Sequence, residues 1–139
     1  MKEPMAADPA PEPVLRRMRE LRLGLLRLHK ALLETERQDY EQVHGRVSSG
    51  ELLQLVINHV QFAWLHAISE LVVRIDEMLD AEEPATADEA GLLLAQARAL
   101  LKSSETGDEF ERRYYAALQR EPAAVLAHRE VTLILSADA

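Results

Sequence analysis

The chain has 139 residues, no cysteine and a formal net charge of −8. That is the length of one domain, which buries about two-thirds of its unfolded surface and needs no covalent staple. The missing cysteines exclude disulfides, thiolate metal sites and a cysteine nucleophile, and the acidic balance argues against general nucleic-acid binding, because phosphates would be repelled.

Leu, Ala, Glu and Arg dominate, with few glycines and aromatics. These straight side chains lose little rotamer freedom in a helix, so the composition predicts an all-α protein. The opening residues Met1-Lys2-Glu3-Pro4 lack the apolar core of a signal peptide, and no apolar run approaches the ~20 residues of a membrane span. A cytoplasmic chain without a membrane span is therefore expected. Residues 1–13 hold Pro4, Pro9, Pro11 and Pro13 among Ala, Asp and Glu, the composition of a disordered tail.

A single domain is expected over 14–135. Its first helix should run from about Val14 to about His44, on the stripe Val14, Met18, Leu21, Leu25, Leu28 and Leu32, with Gly45 as its stop. The second opens with a capping box, Ser48 to Glu51, and runs as one helix to about Ala81. Its stripe is Leu53, Ile57, Val60, Trp64, Ile68, Leu71, Ile75 and Met78. The third opens with a box at Thr86–Glu89 and carries Ala90, Leu93, Leu94, Ala97, Leu100 and Leu101. The fourth opens with a box placed at Thr106–Glu109 and carries Phe110, Tyr114, Ala117 and Leu118. Pro122 kinks or restarts it, and Val125, His128, Val131 and Leu135 continue it before 136–139 fray. Short links between four such helices predict an up-down-up-down antiparallel four-helix bundle with a kinked last helix.

Within that register His29, His66 and His128 fall near one layer, with Glu36 and Glu70 as the nearest carboxylates. Bundles do hold metals through inward His and Glu, so His29, Glu36 and His128 are the metal candidates. Against them, His66 should face outward, and the one Glu-x-x-His pair, Glu41 and His44, lies at a helix end. The bland reading makes the histidines core-edge or solvated residues and expects no cofactor. Serines sit at helix caps, and Ser69 stands alone on an outer face, so no catalytic residues are assigned and an enzyme is not expected.

Two surfaces stand out. Residues 14–30 carry six basic residues against Glu20 alone, and Arg near a helix start opposes the macrodipole. Arg16, Arg17, Arg19 and Arg22 either meet the acidic stretch Asp76–Glu89, fixing the antiparallel register, or bind an acidic partner, RNA or an anionic surface. The complementary stretch within reach favours the first. The second surface is an outer row on helix 2, Leu55, His59, Phe62, His66 and Val73, spaced as one helical face. It suggests a partner helix, above all a second copy of the chain, so a homodimer is expected; helix 4 or the tail covering the row is the alternative.

The stretches Leu28-His29-Lys30-Ala31-Leu32-Leu33-Glu34-Thr35-Glu36-Arg37, Tyr40-Glu41, His44-Gly45, Phe62-Ala63-Trp64-Leu65 and Ser69–Glu77 resemble a group of small bacterial all-helical proteins. The resemblance covers helices 1 and 2, about half of the chain. It implies a bacterial, cytoplasmic helical protein and brings no activity, cofactor or partner. Together these readings point to a non-enzymatic protein-interaction or homodimerisation module, with a His/Glu metal protein and an arginine-mediated binder of an acidic partner as alternatives.

Overall fold

The computed structural model describes residues 8–137. Among them the chain is all-α: α1 (Glu12–His44), α2 (Ser49–Asn58), a 3-10 segment (Val60–Leu65), α3 (His66–Asp80), α4 (Ala87–Leu100), α5 (Glu109–Arg120) and α6 (Pro122–Ser136). No described helix is long and apolar enough to cross a membrane. Six helices stand where four were expected, because two of the expected helices are broken, one at His59 and one at Glu121.

The central element is α1, 33 residues long. Met18, Leu21, Leu25, Leu28 and Leu32 are fully buried along one side. α3 and α6 flank it, both antiparallel. On α3, Asp76 pairs with Arg22 and Ser69 meets His29, while on α6 Leu135 meets Arg17 and Glu130 meets Arg27. Gly24 marks the α1–α6 crossing: a Cβ there would lie 2.9 Å from Val131 Cγ2. The absent side chain lets the two helices close together.

The amino-terminal segment departs from the expected tail. Residues 1–7 lie outside the described residues. Ala10 donates its backbone N–H to the Ala85 carbonyl at 2.8 Å, and Ala87 donates to Asp8 at 3.3 Å. Ala10 is buried, so this segment docks on the α3–α4 connection. Helix α1 then begins at Glu12, with Pro13 in its first turn, where a missing N–H costs nothing.

The second expected helix is the main correction. Ser48 and Glu51 form the expected capping box. At His59, however, the backbone is extended (φ −90°, ψ 134°), and a 3-10 segment follows. In one continuous helix Phe62 and Trp64 would point to opposite sides, and one ring would stay in water. The break and the tighter turn bury Phe62, Trp64 and Leu65 together. Burying one more large side chain contributes roughly 1.5–3 kcal/mol, which exceeds the ~1 kcal/mol of a lost helical hydrogen bond. The freed groups are also repaired. Phe62 donates its N–H to the His59 carbonyl at 3.0 Å, and Gln61 donates its N–H to His59 Nδ1 at 3.1 Å.

The other start sites shift less. Thr86 and Glu89 form a capping box as expected. The next cap is Asp108 with Glu111, two residues beyond the expected Thr106–Glu109. An aspartate followed three residues later by a glutamate satisfies the same geometry, and Thr106 is drawn into a turn with Ser104. At the last break Pro122 is the first helical residue, and Glu121 caps α6 by accepting the Ala123 N–H.

Candidate functional site

The metal candidates do not converge. Glu36, on α1, is a buried carboxylate at 8% exposure. Its Oε2 accepts the Trp64 indole N–H at 2.9 Å, and its Oε1 accepts the Gln61 amide at 3.1 Å. Arg113 of α5 stands 3.7 Å from Oε2. This carboxylate therefore ties α1, the 3-10 segment and α5 together. Buried carboxylates persist when charge and donors surround them, as here.

His128, on α6, meets the buried Tyr114 hydroxyl through Nδ1. Burial lowers the pKa of His128 and raises that of Tyr114. His29 lies elsewhere, with Nε2 at 3.3 Å from Ser69 Oγ. Burial lowers its pKa, and the neighbouring His66 lowers it further. Among the described residues no three His, Asp or Glu side chains are grouped as metal ligands would be.

Ser69 and His29 are the nearest approach to a nucleophile and base. Ser69 also donates its hydroxyl to the Leu65 carbonyl at 3.3 Å. Oγ has one proton for these two neighbours, so while it serves the Leu65 carbonyl, His29 Nε2 can only donate to it and is no base. A histidine that takes a serine proton must present an unprotonated nitrogen to it. The pair is a buttress between α1 and α3.

The arginines separate by role. Arg22 pairs with Asp76 and Arg19 with Glu12 at 3.1 Å. Arg16 is exposed. Arg17 donates through Nε to the Ile134 carbonyl at 2.9 Å and through Nη2 to Leu135 at 3.1 Å. Arg98 of α4 converges on the same Leu135 carbonyl, at 2.6 Å from Nη2. Two guanidinium groups thus cap the carboxyl end of α6, where orphan carbonyls and the negative dipole end collect. Sequence reasoning placed Arg17 against acidic side chains. It missed this role because no side chain in the α6 sequence marks the partner; the acceptor is backbone.

The outer row on helix 2 is dispersed by the break. Phe62 is fully buried, with Tyr40 tilted against it and His59 edge-on to it at ring-centroid distances of 6.1 and 6.0 Å. Leu55 is half-buried against the core. His66 turns inward and donates Nε2–H to the Val56 carbonyl at 2.6 Å, closing the end of α2. Of the row, Val73 alone is well exposed, in a shallow groove with Ser69 and Glu77.

What the break exposes is the opposite side of α2. The helix buries no residue fully. Leu53, Ile57 and Val60, read from sequence as core, are 57%, 54% and 82% exposed. Between Glu51 and Glu70 the chain has no Asp, Glu, Lys or Arg. The result is an uncharged aliphatic arm on an otherwise charged molecule. No family model, curated protein or solved structure matches the chain.

Proposed function

We propose that the chain is a non-enzymatic protein-interaction module that acts as a homodimer in the cytoplasm. In this reading α1, α3, α4 and α6 form an antiparallel four-helix scaffold, and α2 is the arm that meets a second copy. One observation carries it: five of the ten residues of α2 are aliphatic, and none is fully buried. Leu53 and Ile57 lie one turn apart on the same side of the helix, with exposed Val60 just beyond. Large exposed apolar faces mark association surfaces.

Charge selects the occupant. Two molecules of net −8 repel each other through most of their surface. The uncharged arm is a place where they meet without opposing like charges, and a self-complementary apolar helix suits a two-fold contact. Replacing Ile57 with Glu places one charge on each side of that contact. Because Ile57 is exposed, the variant keeps its helical circular dichroism. Light scattering after size exclusion should show α2-mediated mass lost in Ile57→Glu. A wild type that stays monomeric at high concentration, or an Ile57→Glu protein of unchanged mass, would overturn the reading.

A further inference from the structure

Two adjoining grooves, about 550 and 420 Å³, run along the seam between α1 and α6. Their apolar side chains are well exposed: Leu23 of α1 at 45%, and Leu126 and Leu133 of α6 at 70% and 60%. Leu126 and Leu133 are seven residues apart, two turns of one helical face. The seam beneath them is already closed, since a single Cβ at Gly24 would clash with Val131. Among the described residues nothing covers these leucines.

The rim is unlike the rest of the molecule. Glu20, Glu34 and Glu130 face Arg27, Lys30 and Arg129, three charges of each sign on a chain of net −8. Arg27 and Glu130 already pair across the seam. A balanced rim does not select a polyanion or a basic partner. It is complementary to itself: a copy turned antiparallel about a two-fold near the level of residue 25 brings its Lys30 opposite Glu20, and the reverse. Opposed charges at a rim fix register, and the buried aliphatic groups supply the contact.

We infer that the α1–α6 face is a second self-association surface, filled by another copy of the chain in antiparallel two-fold register. The inference is independent of α2, because the two surfaces share no residue. With both occupied, the protein assembles beyond a dimer, and two isologous contacts on each chain close most simply as a dimer of dimers.

The test is the mass by size exclusion with light scattering for wild type, Ile57→Glu, Leu126→Glu and the double variant, each first checked for native circular dichroism. The expected wild-type mass at high concentration is above two chains of 15.7 kDa. Leu126→Glu should fall to two chains and the double variant to one. A Leu126→Glu protein with the wild-type mass overturns the α1–α6 contact whatever α2 does. A drop with Leu126→Glu alone, and none with Ile57→Glu, upholds it while removing the α2 reading. Register has its own test. Lys30→Glu should lower the mass as Leu126→Glu does, and adding Glu20→Lys should restore it. Failure of the charge swap to restore mass overturns the antiparallel register.

Discussion

From Met18 to Leu32, α1 is buried through aliphatic side chains, against residues such as Ile68, Leu71, Ile75 and Val131. From Thr35 to Tyr40 the same helix meets its neighbours through a buried carboxylate, an indole N–H and a run of rings, Tyr40 with His44, His59 and Phe62. The buried face of the first stretch needs matched volume, its polar pairs such as Arg22–Asp76 lie at the edge, and the helices opposite it are regular. The second needs direction: Glu36 accepts bonds only from donors placed correctly, and the chain opposite it breaks into a 3-10 segment to supply Gln61 and Trp64. Packing by area tolerates regular helices, while packing by hydrogen bond dictates local backbone.

The sharpest way to break this comparison is Phe62→Glu. Were residue 62 on an outer face, the variant would be a folded monomer. Buried as it is, the new carboxylate has no partner, and the cost of several kcal/mol should abolish the cooperative thermal transition seen by circular dichroism. Native-like melting of Phe62→Glu would disprove the placement.

Next in size is Leu28→Ala in the aliphatic stretch. It should cost about 2–5 kcal/mol through lost transfer energy and a cavity, read as a lower urea midpoint with an unchanged slope. Glu36→Ala, in the directional stretch, should cost about 1–3 kcal/mol, because the Trp64 and Gln61 donors lose their acceptor. Its signature differs from that of Leu28→Ala. Trp64 is the one tryptophan in the chain, and its fluorescence should shift in native Glu36→Ala but not in native Leu28→Ala. Identical spectra would show that the carboxylate does not organise the break.

The smallest effect is titration. Burial holds His29 and His128 below their ordinary value of 6.5, so the unfolded chain takes up these protons more readily than the folded one. Their contribution to stability is full above pH 6.5 and is lost as the pH falls below it toward the folded values. Urea midpoints at pH 7.5 and 5.5 should differ in wild type and differ less in His29→Gln. An equal difference in both would place the sensitivity elsewhere.

Much of the fold was legible in the sequence, and for a local reason. The stripe Met18–Leu32, the caps at Ser48 and Thr86 and the restart at Pro122 depend on groups within a few residues of each other. The cap at Asp108 was misplaced by two residues because two adjacent solutions satisfy the same local rule. The helix 2 row failed for a different reason. Its spacing assumed an unbroken helix, and nothing within residues 49–65 forbids one.

The candidate surfaces divide along the same line. The sequence by itself determined that the protein is all-α, where most helices start, and that Leu52 to Ser69 carry no Asp, Glu, Lys or Arg. It did not determine which side of that uncharged segment meets water. That was decided by the tertiary structure, through Glu36 on α1 and the rings around Phe62. Helical spacing states which residues share a face only while the helix continues, and whether it continues depends on what packs against it.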